Sequence, residues 1–338
     1  MNLSPESQGS TDSARRAASR PDYSRAGDLS RTLKLLETGG AFPLGGGTDL
    51  IPSIRESVVH PDVLVDLHGV AGLATVDWRA DGSVEIGAAV TLTTIADDAR
   101  ILASFPALAQ ACAIVGSPAL RNMGTLGGNL CQRPRCWYFR QRLPCHKHGG
   151  SFCFAYDGEN EHHAILGGGP CYIVHPSDCA VALMALGATV NVVGPSGDRR
   201  VPIDEFFVLP AQRIDSENVL AAGELVRSIE LPAASSGGRQ RFDKVMPRGA
   251  WDFAVVSLAS ARWTNGAVRL VLGGVAPIPW RITSSIEEDV ASGSLGPDDI
   301  DTLAERAMYD AAPLAKNGYK VDVALALLRR AIADLNRA

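Results

Sequence analysis

One stretch of this chain, Gly124 to Asp178, constrains its fold more than any other. It begins with a turn that carries few side chains, Gly-Thr-Leu-Gly-Gly-Asn, and it ends with His-Pro-Ser-Asp before the apolar run Ala180 to Leu186. The roughly forty residues between these motifs show no helix or strand periodicity. An irregular loop of that length inside a compact domain is normally functional, so the rest of the chain is expected to form its scaffold.

Cysteines are concentrated in this loop. Five of the seven in the chain fall between residues 131 and 171, with gaps of 4, 8, 7 and 17 residues between them. No C-x2-C or C-x3-C pair typical of a zinc site occurs. The wide spacing favours a loop wrapped around a larger object, such as a [4Fe–4S] cluster held by four thiolates. The five candidates are Cys131, Cys136, Cys145, Cys153 and Cys171.

Five candidates for four ligand positions leave one cysteine over. Cys131 adjoins the glycine turn and is expected to be structural, and Cys112 and Cys179 are expected to be core thiols on helices. A loop of free thiols without a cluster is the alternative, although exposed free cysteines are reactive. The loop histidines are expected to be solvated, with zinc ligation as their alternative role; they are His146, His148, His162 and His163.

A second glycine-rich turn, Gly45 to Leu50, follows the short apolar segment Ala41 to Leu44. Its three successive glycines let backbone N–H groups approach a phosphate, and Thr48 adds a hydroxyl donor. The turn matches neither a GxGxxG fingerprint nor a Walker A motif. Together with the turn at Gly124 it predicts a dinucleotide whose diphosphate is gripped from two sides. A pair of unrelated tight turns is the alternative.

Asp178 stands near the start of a predicted helix. It either caps that helix or accepts a hydrogen bond from a ribose or a flavin ring. Lys244 and Arg248 lie in a predicted strand-and-turn region, where each is either functional or a solvated charge.

Composition excludes several classes of protein. With 46% hydrophobic and 20% charged residues, the 338-residue chain resembles an ordinary globular protein of two or three domains. A net charge of −5 argues against broad binding to nucleic acid or to anionic membranes. No apolar run reaches the roughly 20 residues of a membrane span. Arg15-Arg16 lacks a following apolar region, so no export signal is expected in this chain.

Periodicity divides the chain into four parts. Residues 1–22 are expected to be a disordered polar arm, 23–72 a first α/β unit, 73–232 a second unit that carries the cysteine insert 131–171, and 239–338 a C-terminal unit. Residues 233–238 are expected to be a flexible linker. The predicted helices include Ile95 to Leu102, Pro106 to Val115, Asp298 to Ala311 and Val321 to Leu335, the last with a stripe of Leu325, Leu328, Ile332 and Leu335.

Three motifs in this order, Gly45 to Leu50, Gly124 to Asn129 and Pro176-Ser-Asp178, resemble the flavin subunit of the xanthine dehydrogenase (molybdenum hydroxylase) family. The resemblance extends from about Leu29 to Leu335. The cysteine-containing run Leu130 to Phe139 is more specifically similar to flavin subunits of periplasmic aldehyde oxidoreductases, with that of 4-hydroxybenzoyl-CoA reductase as a second relative. The sequence departs from the family at its start, where a polar arm replaces the usual short strand with aromatic residues.

The resemblance implies an α+β fold: a PCMH-type FAD-binding domain of two α/β subdomains and a smaller α+β C-terminal domain like that of carbon monoxide dehydrogenase flavoproteins. It implies a [4Fe–4S] cluster held by Cys136, Cys145, Cys153 and Cys171, and the choice of Cys171 over Cys131 rests mainly on the resemblance. The residues expected to bind FAD are Pro43, Leu44, Gly45, Gly46, Gly47, Thr48, Asp49, Leu50, Gly124, Thr125, Gly127, Gly128, Asn129, Asp178, Val226 and Lys244.

The resemblance also implies a role in a heterotrimer. A large molybdenum-cofactor subunit is expected to oxidise an aldehyde or a related substrate, and a small [2Fe–2S] subunit to relay single electrons. This chain would collect them on FAD and pass them to an external acceptor, with no catalytic residue of its own. The alternatives are a stand-alone flavin oxidoreductase of the same fold and a zinc-stabilised scaffold. The expected location is the cytoplasm, or the periplasm by export with a signal-bearing partner.

Overall fold

The computed structural model describes residues 20–337, so most of the expected arm, residues 1–19, lies outside the described part. Within it the strands form three separate sheets. The first is a parallel three-stranded sheet of order β1-β3-β2. This first unit contains β1 (Asp22–Arg25), α1 (Leu29–Leu36), β2 (Ala41–Leu44), α2 (Leu50–Arg55) and β3 (Val63–Asp66).

Strand β1 corrects the expectation that the usual short aromatic strand is missing. It begins at Asp22, carries Tyr23, and pairs with β3 along the sheet edge. Its side chains converge on the buried carboxylate of Asp66, which accepts from the Tyr23 hydroxyl and, at 3.2 Å, from Arg25 Nε. A four-residue polar strand has no periodicity of its own, and its partner lies about forty residues away in sequence, so local pattern could not reveal it.

The second unit is built on an antiparallel five-stranded sheet of order β4-β5-β8-β6-β7. Helices connect its strands and cover one face. Its elements before the cysteine loop are β4 (Val76–Trp78), β5 (Val84–Gly87), α3 (Leu92–Asp97), α4 (Ala99–Ser104), α5 (Pro106–Ile114), α6 (Pro118–Met123) and α7 (Leu126–Leu130). Those within and after the loop are α8 (Trp137–Arg140), a 3₁₀ turn (His146–His148), α9 (Asp178–Ala185), β6 (Thr189–Val193), β7 (Arg199–Pro202), α10 (Ile203–Phe206) and β8 (Leu225–Leu231).

The helix predicted over Ile95 to Leu102 is divided in two. Asp98 ends α3 and caps α4, because its carboxylate accepts from the backbone N–H groups of Arg100 and Ile101. Thr91 caps α3 by accepting from the Thr94 N–H. A side-chain cap in the middle of the predicted helix therefore outweighed the helical periodicity.

Helix α9 is the centre of the molecule. Every residue from Asp178 to Ala185 is buried, as expected for a helix that is apolar on all sides and covered by other elements. It packs on α5 and α7 on one side and on strands of the C-terminal sheet on the other. The chain directly after the cysteine loop is therefore anchored in the interior of the protein by α9.

The C-terminal unit is an antiparallel sheet of order β12-β11-β10-β9 covered by three helices. Residues 233–238, expected as a flexible linker, include a 3₁₀ turn (Ala233–Ser235) whose Ser235 is fully buried. No helix in residues 20–337 combines the length and apolar character needed to cross a bilayer. The elements are β9 (Arg239–Val245), β10 (Val256–Arg262), β11 (Val268–Gly273), β12 (Trp280–Arg281), α11 (Ser284–Ser292), α12 (Pro297–Ala307) and α13 (Tyr319–Asn336).

The stripe predicted on α13 is largely confirmed. Leu328, Ile332 and Leu335 are buried in the C-terminal core, whereas Leu325 is only half-buried at its margin. Leu327 takes the inner position instead. The packed face is rotated slightly from the prediction because the sheet, not the helix, sets the direction of the core.

We expect Asp66→Asn to lower the free energy of unfolding by about 1–3 kcal/mol, because the buried acceptor of the hydrogen bonds from Tyr23, Arg25 and His68 loses its charge. Burial alone would raise the pKa of Asp66, but hydrogen bonds from Tyr23, His68 and Arg25 lower it well below its ordinary value. The stabilisation is therefore present above the unfolded pKa of about 3.9 and is lost as the pH falls through the lower folded pKa.

Urea unfolding of the wild-type protein and of Asp66→Asn from pH 7 to pH 3 measures this pH-dependent stabilisation. Asp22→Asn, which changes an exposed carboxylate on the neighbouring strand β1, is the control. Equal losses of unfolding free energy in Asp66→Asn and Asp22→Asn would contradict the stabilising role of Asp66. So would a difference between the wild type and Asp66→Asn that does not change with pH.

Candidate functional site

The two glycine turns touch each other through their backbones. A Cβ placed on Gly46 would lie 1.6 Å from the carbonyl oxygen of Met123, and one on Gly45 would lie 2.8 Å from Thr125 Oγ1. Gly47 adopts a φ of +70°, which other residues rarely take. Glycine is therefore required here both for close approach and for conformation, and the prediction that the two turns act as a pair agrees with this geometry.

The second turn is held by the five-stranded sheet unit. Thr125 caps α7 by accepting from the Gly128 N–H at 3.3 Å. The N–H of Gly127 donates to the Ala88 carbonyl at 2.8 Å, an approach that a Cβ on Gly127 would prevent at 2.7 Å from the Ala88 side chain. The turn that the sequence indicated as irregular is thus the start of a short helix.

The two turns line one cleft of about 1030 Å³, which we call the glycine cleft. Most residues expected to contact FAD border it. They are Pro43, Gly45, Gly46, Gly47, Thr48, Asp49, Leu50, Thr125, Gly127, Gly128 and Val226. Leu44, Gly124 and Asn129 belong to the same turns but do not line the cleft. Cys131 also borders the cleft, and burial raises the pKa of its thiol to about 12.

Asp49 makes contacts that the sequence did not reveal. Its carboxylate accepts from the Arg133 N–H at 2.8 Å, and it pairs with Arg135 Nη1 at 2.6 Å and Arg140 Nη2 at 2.9 Å. All three partners belong to the cysteine loop, residues 131–171. Asp49 therefore ties the loop to the first glycine turn, and its negative charge is already neutralised.

Asp178 lines a second cleft of about 870 Å³, the Asp178 cleft, whereas Lys244 does not line it and contacts Asp178 from behind. Lys244 Nζ is 2.7 Å from Asp178 Oδ2, and the two side chains are only 2% and 7% exposed. Burial raises the pKa of Asp178, and the positive charge of Lys244 opposes that shift. Ser177, not Asp178, caps α9, so capping does not account for this carboxylate.

The two clefts are connected through the same segments. Ser177 at the Asp178 cleft donates to Asn129 Oδ1 at 2.5 Å, directly after the second glycine turn. Gln132 and Arg133 border the glycine cleft, whereas Arg135 and Cys136, a few residues on, border the Asp178 cleft. A ligand that extends along this segment would contact both clefts.

Four of the five loop cysteines surround a small cavity of about 270 Å³, the cysteine cavity. They are Cys136, Cys145, Cys153 and Cys171, whereas Cys131 lies in the glycine cleft instead. Burial raises the pKa of the Cys136 thiol to about 11. A hydrogen bond from Cys171 lowers the pKa of Cys153 to about 6, and the same contact raises that of Cys171.

Ion pairs fix the cysteine loop from a second direction. Lys147, which lines the cysteine cavity and is 1% exposed, lies 2.7 Å from Glu217 Oε1. Arg133 Nε contacts the other oxygen of Glu217 at 2.9 Å. The loop is therefore pinned to residues after β7 as well as to Asp49, and a long irregular segment is held in one shape.

Comparison with known proteins identifies the chain. A sequence profile described as FAD binding domain in molybdopterin dehydrogenase matches residues 16–234, more than half of the chain. The FAD-binding subunit PaoB of the aldehyde oxidoreductase of Escherichia coli (strain K12) is 34% identical over 87% of this chain and 91% of its own length. The chain belongs to the family of FAD-binding domains in molybdopterin dehydrogenases.

Other relatives of this FAD-binding protein agree. The glyceraldehyde dehydrogenase medium chain of Sulfolobus acidocaldarius is 29% identical over 86% of this chain and 88% of its own. Quinoline 2-oxidoreductase from Pseudomonas putida 86 contains a similar fold, with a TM-score of 0.71, 23% identity and coverage of 94% and 98%. Carbon monoxide dehydrogenase from Hydrogenophaga pseudoflava matches equally, with a TM-score of 0.71, 22% identity and coverage of 93% and 96%. The expected family and the α+β fold are confirmed.

The residues at the two clefts fit FAD. The glycine cleft is lined by Gly45, Gly46 and Gly47, whose backbone no side chain covers, which suits a diphosphate. The Asp178 cleft is lined by Asp178, which is paired with Lys244, and by Ser257, whose buried hydroxyl has no hydrogen-bond partner among the described residues. An orphaned buried hydroxyl suits a polar ring edge.

Sequence reasoning missed three features of this FAD-binding domain. Asp49 lines the glycine cleft but also binds loop arginines, Ser257 carried no motif, and His163 was expected to be a solvated loop histidine. His163 is in fact 4% exposed and lies 3.3 Å from Cys136 Sγ. The only available sequence signal for the contacts of Asp49 was a charge pattern, one aspartate in the turn and four arginines in the loop.

We expect Gly46→Ala to lower the free energy of unfolding by about 1–3 kcal/mol, because the two turns must separate to admit the methyl group. Bound FAD per chain should fall at the same time. Gly318→Ala is the control, since a Cβ there meets nothing within 4 Å. Unfolding curves and flavin absorbance of both purified variants test this; full FAD content in Gly46→Ala would contradict it.

We expect Asp49→Asn to destabilise the protein by about 1.5–3 kcal/mol, because charged hydrogen bonds from the loop are lost. Limited proteolysis should then cut first within residues 131–171. Glu56→Gln is the matched control, because Glu56 also contacts Arg140, at 3.2 Å, but is 46% exposed. Identical cleavage patterns in the two variants would rule out the anchoring role.

Proposed function

We propose that this chain is the FAD- and [4Fe–4S]-carrying electron-transfer subunit of a molybdenum hydroxylase that oxidises aldehydes. One observation carries the proposal: Cys136 borders both the cysteine cavity and the Asp178 cleft. A cluster in the cysteine cavity and a flavin in the Asp178 cleft would thus both lie next to Cys136. Electron transfer between two centres in one chain needs that proximity.

The chemistry of the cysteine cavity supports a cluster over a single metal ion. Zinc binds sulfur at about 2.3 Å, so its four ligands must converge closely on one point. No three His, Cys, Asp or Glu side chains in residues 20–337 converge on one ion. Four thiols that line one cavity instead suit a multi-atom inorganic core, which is held by cysteine thiolates.

The flavin would supply the coupling between one-electron and two-electron carriers. This chain's own residues would bind and orient it. The backbone N–H groups of Gly45 to Gly47 would receive the diphosphate, and Asp178, paired with Lys244, would fix the polar edge of the ring. Trp137 and Phe253, which line the Asp178 cleft, would exclude part of the solvent.

The relatives support the rest of the complex. Their names describe an FAD-binding subunit of an aldehyde oxidoreductase and a medium chain of a glyceraldehyde dehydrogenase, and both are parts of larger assemblies. We propose a large molybdenum-cofactor subunit, where the aldehyde is oxidised, and a small [2Fe–2S] subunit that delivers single electrons to this chain. An external acceptor removes them from FAD.

Absorption spectroscopy with metal analysis of the purified full-length chain tests the proposal. We expect flavin absorption and about four iron atoms per chain, the content of one [4Fe–4S] cluster. Zinc in place of iron, without flavin colour, would instead support a scaffold. Aldehyde oxidation by the isolated chain would support a stand-alone flavin enzyme and would overturn the subunit role.

Serine variants test the ligand set. We expect Cys145→Ser to lose most of the iron while FAD content stays near that of the wild type, because Cys145 lines the cavity and lies outside both clefts. Cys131→Ser is the matched control and should keep its iron, because Cys131 lines the glycine cleft. If Cys131→Ser lost its iron and Cys171→Ser kept it, the fourth cluster ligand would be Cys131 rather than Cys171.

A further inference from the structure

His163 occupies a singular position between the two proposed cofactor sites. It borders the Asp178 cleft but does not line the cysteine cavity. Its Nε2 lies 3.3 Å from the sulfur of Cys136, the cysteine that borders both spaces. The imidazole therefore contacts the Cys136 sulfur from the side of the Asp178 cleft. From there it can bind a cluster-ligating sulfur without itself being a ligand of the cluster.

The C-terminal unit holds His163 in place. Its backbone carbonyl accepts from Asn317 Nδ2 at 3.1 Å and from Lys320 Nζ at 3.0 Å. Lys320 is fully buried, and its second bond goes to the Gly274 carbonyl at 2.8 Å. The backbone N–H of His163 donates to Asn160 at 3.0 Å. Because the backbone N–H and carbonyl groups of this buried histidine are both hydrogen-bonded, its side chain is held in a preorganised position.

The direction of the hydrogen bond follows from the chemistry of the sulfur. A cysteine that binds iron does so as a thiolate, which has no proton to donate. The pair at 3.3 Å then requires Nε2 to carry the proton. Nδ1 has no hydrogen-bond partner among the described residues, so no other contact opposes this tautomer.

We propose that His163 is a positioning residue whose Nε2–H donates to the Cys136 thiolate and thereby raises the reduction potential of the iron–sulfur cluster. This inference rests on the proposed function. Reduction adds one electron to the cluster and spreads negative charge onto its thiolates. A hydrogen bond to sulfur stabilises the reduced form more than the oxidised form. No proton leaves the ring in this step.

The test is a dithionite titration of the full-length chain, followed by the paramagnetic resonance signal of the reduced cluster. In His163→Phe the potential should fall, so that at the wild-type midpoint the ratio of oxidised to reduced cluster rises at least about tenfold, which is about 59 mV for one electron. His163→Gln keeps an N–H donor of similar reach and should restore much of the wild-type potential.

His162→Phe is the matched control. His162 is the adjacent residue and borders the same cleft, but its side chain is 50% exposed and pairs with Glu161. Its variant should titrate like the wild type. An equal shift in His162→Phe, or an unchanged potential in His163→Phe at full iron content, would overturn the inference.

Iron content separates the remaining outcomes. Loss of iron from both His163 variants would mean that the residue retains the cluster rather than tunes it, and would also overturn the inference. A wild-type chain that contains no iron would instead refute the proposed cluster itself. Failure of the proposed function and failure of this inference are therefore distinguishable in one set of samples.

Discussion

The close approach of two backbones, at Gly46 and Met123, is the constraint on which the other parts of the site depend. A methyl group at Gly46 would sit 1.6 Å from a carbonyl oxygen, so the first α/β unit and the five-stranded unit meet without side chains between them. That contact forms the glycine cleft at the junction of the two units. A flexible dinucleotide diphosphate can be bound there by main-chain groups, which do not need to reorganise.

Charge then couples this cleft to the cysteine loop. Asp49, inside the first turn, is surrounded by loop arginines, and Glu217 holds Arg133 and Lys147 from the other side. Both carboxylates are largely removed from water, so loss of either would leave buried cations without partners. The loop that carries the thiols and the first glycine turn are therefore parts of a single polar network.

Helix α9 connects both to the C-terminal unit. Its first residue, Asp178, meets Lys244 of the C-terminal sheet, and the remainder of the helix is buried. His163 is clamped by Asn317 and Lys320 from the same unit. The third unit thus completes the Asp178 cleft and fixes the histidine behind Cys136. The proposed electron path runs where all three units meet.

The glycine turns, the concentration of cysteines in one loop and the burial of α9 were accessible from the sequence, because close backbone approach requires glycine and an all-apolar helix must be covered. The choice of Cys171 over Cys131 came from the family resemblance and stays a prediction. Strand β1, the pairing of Asp49 with the loop arginines and the burial of His163 were not accessible from the sequence. Each depends on partners far away in sequence, across about 40, 90 and 150 residues. Local sequence determined which groups could bind; only tertiary packing decided which of them face a cleft, since burial and charge pairing are properties of neighbours that the chain brings together by folding.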